Sequence, residues 1–270
     1  MKIAVQEHET ILARVKQEHA FTKTRINGLD YVINPYVGCH SGCRYCYAAY
    51  TKACHHATEE WGSFVDVKKD FVQKLERELE KTAPGKVLVS GLTDPYQPIE
   101  LKEKIVRRCI KLLKDHGCTI SILTKSHNVI RDLDLLDETD EVGLSIAFHD
   151  DTYTRIFEPN AASIEKRFAA METVLEKGLK ANAMVSPILP LFTNLERLIS
   201  RLNEVQPSYA YFDTVIARST WPMFEQTVEE FFPEKKTRVK ELLKNSEYKL
   251  SLRRMIEQNL STSIPRKVLF

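Results

Sequence analysis

Apolar residues recur along this chain in two alternating rhythms. Phe71, Val72, Leu75 and Leu79 fall at the three- and four-residue spacing of one helix face. Pro84-Gly85 stops that face, and Lys86-Val87-Leu88-Val89-Ser90 follows as a continuous apolar run, the mark of a strand buried on both faces. The pattern then repeats. Ile105, Val106, Cys109, Ile110, Leu112 and Leu113 form a second helical stripe, closed by Gly117 before the strand Thr119 to Thr124. Val129 to Leu136 reads as helix and Val142 to Phe148 as strand. Ile164, Phe168, Met171, Val174 and Leu175 make a helix that Gly178 ends. Ala181 to Ile188 is then strand, Leu195 to Leu202 helix, and Tyr209 to Ile216 strand. Tyr31-Val32-Ile33-Asn34, stopped by Pro35, comes first, so six strands are predicted with helices between most of them.

That rhythm belongs to βα units, and it predicts an α/β fold. Right-handed crossovers pack such units around a parallel sheet that rolls into an open or closed barrel. A closed barrel of eight strands needs two more than the pattern supplies. Residues 1–28 read as an N-terminal extension, with Ile11, Leu12 and Val15 on one face of a short helix. Residues 29–220 hold the barrel, and 221–270 a C-terminal helical appendage with helices over 223–232, 234–245 and 247–259.

Composition adds bounds. The chain has 270 residues, 43% hydrophobic and 28% charged, which is ordinary for a globular α/β protein. It contains no apolar run long enough to span a membrane. The net charge of +2 says little, but from Glu234 to Phe270 ten Lys and Arg face four Asp and Glu. That basic segment suits either nucleic acid or a solvated helical face.

The chemistry sits just after the first strand. Cys39, His40, Ser41, Gly42, Cys43, Arg44, Tyr45 and Cys46 carry three cysteines at the spacing C-x3-C-x2-C. Several thiolates in one short loop suit zinc or an iron–sulfur cluster. A zinc site would recruit His40, His55 or His56 as its fourth ligand, but no second cysteine knuckle follows. A [4Fe–4S] cube commonly takes four cysteines, one per iron, so three would leave one iron open to another ligand. The chain is not small and opens with no apolar signal segment, which speaks against a disulfide framework. A reducing, cytoplasmic compartment fits the cysteine loop.

This loop resembles that of the radical S-adenosylmethionine (SAM) superfamily, in which the open iron chelates the amino and carboxylate groups of SAM. The strand ends sharpen the resemblance. Thr93-Asp94-Pro95-Tyr96-Gln97-Pro98-Ile99-Glu100, Thr124-Lys125-Ser126 and Glu158-Pro159 look like the spore photoproduct lyase branch, which includes many proteins described as DNA repair photolyase-like. The similarity covers about residues 31–190. It implies a partial (β/α)6 TIM-like barrel of parallel strands and a reaction in which a reduced cluster cleaves SAM to a 5′-deoxyadenosyl radical that abstracts hydrogen from a substrate. It implies Cys39, Cys43 and Cys46 as cluster ligands, and Lys125 and Ser145 as contacts to the SAM carboxylate. Thr93 and Asp94 stand where the wider superfamily has a Gly-Gly-Glu motif that grips the SAM amino group. Glu158 and Arg167 join the cofactor site on this reading, Arg167 either binding a carboxylate or pairing with Glu158 or Glu165. A cation is also what a carboxylate beside an anionic cluster requires, and Lys supplies a compact point charge.

One departure bears on the substrate. Lyases that open the thymine dimer place a hydrogen-donating cysteine at the end of the second strand, and the stretch from Ser90 to Glu100 has none. Cys109 lies on an apolar helix stripe and Cys118 at the wrong end of a strand. Tyr96 and Cys54 are the remaining candidate donors. The expected function is therefore a radical SAM enzyme holding a [4Fe–4S] cluster and SAM, supplied with electrons by a flavodoxin- or ferredoxin-type donor, and acting on nucleic acid or on another substrate. The alternative from a different class is a non-catalytic zinc or nucleic-acid-binding module.

Overall fold

The computed structural model describes residues 13–16, 18–51, 53, 59–215 and 221–270. Its strands, in chain order, are β1 (Arg14–Val15), β2 (Thr22–Lys23), β3 (Tyr31–Ile33), β4 (Tyr36–Val37), β5 (Asp66–Lys68), β6 (Lys86–Val89), β7 (Thr119–Thr124), β8 (Glu141–Ser145), β9 (Lys180–Ile188), β10 (Tyr209–Thr214) and β11 (Arg266–Val268). The helices are α1 (Phe71–Leu79), α2 (Pro98–Glu103), α3 (Ile105–Asp115), α4 (Asp151–Phe157), α5 (Ile164–Glu176), α6 (Leu195–Val205), α7 (Trp221–Phe231), α8 (Lys236–Lys244) and α9 (Ser246–Asn259).

Eight strands form one open sheet in the order β2-β3-β6-β7-β8-β9-β10-β11. From β3 to β11 every pairing is parallel, while β2 runs antiparallel at the edge. This is an α/β partial barrel, and all six expected strands are in it. Helices α3 and α5 cover the outer face, with α3 on β7 and α5 on β8 and β9. Under them lie Val87, Val89, Ile120, Ile122, Val142, Leu144, Ala181, Ala183 and Val185, all fully or almost fully buried. The inner face stays more open: along β10, Ala210 and Phe212 are buried while Tyr209, Tyr211 and Asp213 are half-exposed. Gly117 and Gly178 end α3 and α5 at φ +80 and +75, the left-handed conformation that favours glycine.

Three elements differ from expectation. Val15 lies in β1, paired with Lys68 of β5, where a helix face was expected; Ile11 and Leu12 fall outside the described residues. Of the expected helix Val129–Leu136, all but Leu136 lies in a 3-10 stretch, His127–Leu135, started by the Ser126 side chain accepting the Asn128 N–H. The C-terminal segment holds the expected helices and then returns to the sheet as β11, at the edge of β10. Strands of two or three residues are too short to carry a periodic signal. No helix among the described residues is long and apolar enough to cross a membrane.

Candidate active site

The cysteine loop leaves β4 at Gly38, whose φ of +79 is one that side chains disfavour. A Cβ there would stand 2.5 Å from the Phe64 ring. Gly42 turns the loop again at φ +58, with the Cα of Gly62 3.2 Å from where its Cβ would be. Two tight turns follow, Gly42 N–H to Cys39 O at 3.2 Å and Cys46 N–H to Cys43 O at 3.1 Å. The glycines thus let three cysteines be presented from eight residues.

Two strand-end segments brace this loop. Gln97 Oε1 accepts the His40 N–H at 2.9 Å, and the Asp94 N–H points at Cys39 Sγ at 3.3 Å. From the opposite side, Asn160 Nδ2 donates to His40 O at 2.9 Å and the Arg44 N–H donates to Phe157 O at 2.8 Å. Sequence reasoning marked both segments but missed Gln97 and Asn160 as braces. The signal was their place inside the two motifs, one residue past Tyr96 and one past Pro159.

Cys39 and Cys43 are buried, Cys46 partly so, and all three thiols are free. Burial pushes each thiol up to about 12. Such thiols stay protonated until metal displaces their protons. Among the described residues, no group of three or more His, Cys, Asp or Glu side chains converges as a single metal ion would require. The fit to a cluster rests instead on donor chemistry: three soft, unbridged thiols on one glycine-shaped loop, as a cube with one open iron asks.

Beside Cys43 stands a buried polar group built from four elements. Glu158, at the end of α4, accepts hydrogen bonds from the Tyr45 hydroxyl on the cysteine loop and from Arg167 Nη2 on α5. Arg167 is fully buried; its Nη1 donates to Ser145 O at 2.9 Å and its Nε to Ala162 O at 2.9 Å. Lys125, just beyond β7, brings Nζ to 4.0 Å from Glu158 Oε1 and 5.7 Å from the centre of the Tyr45 ring. Among the described residues its ammonium donates no hydrogen bond. Burial opposes the Lys125 charge, but the Cys43 sulfur once deprotonated and the Glu158 carboxylate raise its pKa overall. For Glu158 burial also opposes the charge, and Arg167 and then Lys125 outweigh it, so the carboxyl is held below its usual range.

The expected site residues thus fall into three groups. Lys125, Ser145, Glu158 and Arg167 come together next to the loop. Thr93 and Asp94 border Cys39, with Thr93 Oγ1 2.6 Å from Ser90 Oγ. Asp94 is engaged within the protein: Oδ1 accepts the Tyr96 N–H at 2.9 Å and the Thr124 hydroxyl at 2.6 Å, and Oδ2 accepts the Lys125 N–H at 2.8 Å. Tyr96 is not brought to this group. Its ring is buried beneath the Arg131 guanidinium, 5.7 Å away. Cys54 falls outside the described residues.

Comparison with known proteins gives the family and the fold. Residues 33–199 match the radical SAM superfamily. The chain is 32% identical to uncharacterized protein MJ0683 of Methanocaldococcus jannaschii over 93% of its own length and 92% of that protein. It is 29% identical to uncharacterized protein Rv2578c of Mycobacterium tuberculosis, over 87% of this chain and 74% of the other. Among solved structures, a mutant of spore photoproduct lyase superposes with a TM-score of 0.68 at 18% identity, covering 96% of this chain and 82% of that one. Spore photoproduct lyase complexed with dinucleoside spore photoproduct gives a TM-score of 0.67 at 19% identity, with the same coverage. The chain belongs to the radical SAM superfamily, and its fold is that of spore photoproduct lyase.

Proposed function

We propose that this chain is a radical SAM enzyme in which Cys39, Cys43 and Cys46 hold a [4Fe–4S] cluster and Lys125 receives the SAM carboxylate. Once bound and reduced, that pair supplies a 5′-deoxyadenosyl radical. The observation that carries the reading is the Lys125 ammonium: half-buried next to Cys43 and Cys46, charged, 4.0 Å from Glu158 Oε1, and donating no hydrogen bond among the described residues. A partly desolvated ammonium that donates no hydrogen bond is a favourable place for an anion. Thr93, Ser145, Glu158 and Asp94 shape the same wall. On this reading Tyr45, whose ring lies 5.7 Å from the Lys125 ammonium, packs beside the cysteine loop.

Electrons come from an external donor of the flavodoxin or ferredoxin type. Nucleic acid is the substrate class supported by the likeness to spore photoproduct lyase, of which one solved structure is complexed with dinucleoside spore photoproduct. The basic C-terminal segment adds little support. Lys236 and Lys240 pair with Glu225, Arg238 pairs with Glu241 and Arg254 with Glu247.

Anaerobic reconstitution tests the proposal. A brown protein with about four irons per chain that binds SAM in calorimetry is expected. A colourless protein carrying one zinc would overturn the reading in favour of a zinc module.

A further inference from the structure

We infer that Arg167 is a positioning residue that occupies Glu158 so that Lys125 stays free for an anionic ligand, and that Arg167 touches no ligand itself. The inference rests on the reading that Lys125 meets the SAM carboxylate.

The geometry is a competition between two cations for one carboxylate. Arg167 holds Glu158 in hydrogen-bond contact through Nη2, whereas Lys125 Nζ waits at 4.0 Å from Oε1. Each of the three guanidinium nitrogens of Arg167 already has a protein acceptor: Ala162 O, Ser145 O and Glu158. Its side chain has no exposed surface through which to reach a ligand. The rigid guanidinium fork therefore fixes Glu158 from one side. The Tyr45 hydroxyl fixes it from the other, on the same Oε1 that faces Lys125.

Removing Arg167 would leave Glu158 as a buried carboxylate short of a partner, an arrangement proteins do not tolerate cheaply. Lys125 is the nearest remaining cation, and its four-carbon stem is flexible enough to close the gap. Once it does, its donors are spent on Glu158. The effect of Arg167 on ligand binding thus passes through Glu158, and it vanishes when Glu158 no longer carries charge.

A double-mutant cycle on reconstituted protein reads this out, with SAM as the probe and its Kd measured anaerobically. Arg167→Met is expected to weaken SAM roughly tenfold or more, the scale of losing a hydrogen bond to a charged group. In the Glu158→Gln background the same Arg167→Met change is expected to cost less than about threefold, because the two residues couple. An equal loss in both backgrounds would show that Arg167 contacts SAM directly, or acts only on folding, and would overturn the inference. Arg167→Gln, which keeps a donor near the Nε position but no charge, repeats the cycle where Arg167→Met fails to take up iron. Lys125→Ala separates the two layers of argument. If it leaves SAM affinity unchanged in the wild-type background, the reading of Lys125 falls and this inference with it. If it weakens SAM in the wild type but not further in Arg167→Met, both stand. If it weakens SAM equally in both, Lys125 was never sequestered and only the inference fails.

Discussion

Lys125 and Asp94 are joined through the main chain: the Lys125 N–H donates to Asp94 Oδ2 at 2.8 Å, while the Asp94 N–H points at Cys39 Sγ at 3.3 Å. One short residue therefore sets the end of β7 against the first cysteine. A carboxylate can accept about four hydrogen bonds, and here three positions are filled from within the protein. The Asp94 side chain holds the end of β7 while its main-chain N–H meets the cysteine loop.

Asp94→Ala should therefore act on the scaffold first. It strands the Thr124 hydroxyl and the N–H groups of Tyr96 and Lys125, at about 3–5 kcal/mol for breaking a buried charged network. Asp94→Asn keeps one acceptor oxygen and should lose roughly half as much. Anaerobic thermal melting of the two variants checks the order; equal melting temperatures for wild type and Asp94→Ala would remove the brace.

The second prediction concerns iron. Replacing Cys39, Cys43 or Cys46 singly by Ala should abolish a stable cube, since each removes one of three protein ligands. Cys109→Ala and Cys118→Ala should keep full iron content. Cys109 is fully buried on the inner stripe of α3, and Cys118 opens β7 at the end away from the loop. Loss of iron in either of these, with retention in Cys43→Ala, would reverse the ligand assignment.

The third concerns SAM itself. Lys125→Ala should weaken binding by about 1.5–3 kcal/mol, the worth of a hydrogen bond to a charged group. The cluster absorption should be unchanged, because Lys125 supplies no thiolate. Calorimetry under anaerobic conditions measures the difference, and an unaltered Kd removes Lys125 from the site.

What could be read from the sequence was whatever periodicity or a short motif encodes. The stripe Ile105, Val106, Cys109, Ile110, Leu112 and Leu113 gave α3, and all but the half-buried Leu112 are buried. The run Lys86–Ser90 gave β6, with Lys86 to Val89 in the strand. The three cysteines and Lys125 were visible as motif residues in themselves. The arrangement around Glu158 was only half visible. Pairing with Arg167, nine residues on, was one of three roles left open for that arginine, but the Tyr45 hydroxyl lies 113 residues away and no local pattern could join them. Tyr96 shows the opposite failure. Its place in a strand-end motif suggested a group facing the site, yet α2 begins at Pro98 and turns this stretch so that the ring packs beneath Arg131. Motif membership locates the backbone, and only packing decides where a side chain points.

The last prediction concerns a reaction this chain should perform poorly. With dithionite and SAM, the reconstituted protein should form 5′-deoxyadenosine slowly without a substrate. It should not efficiently restore thymines from DNA carrying spore photoproduct. After bond cleavage a product radical remains and must receive a hydrogen atom. A thiol gives one readily, but the stretch from Ser90 to Glu100 offers only the hydroxyls of Ser90, Thr93 and Tyr96. Aliphatic O–H bonds are far stronger than S–H bonds. The weaker phenolic O–H of Tyr96 is no remedy, since its side chain is 1% exposed and packed under Arg131. Ser90 and Thr93 are further tied to each other at 2.6 Å. Chromatography of digested DNA after incubation measures repaired thymines per enzyme. Many turnovers would refute the prediction, and Cys54→Ala and Tyr96→Phe would then show which residue supplies the hydrogen atom.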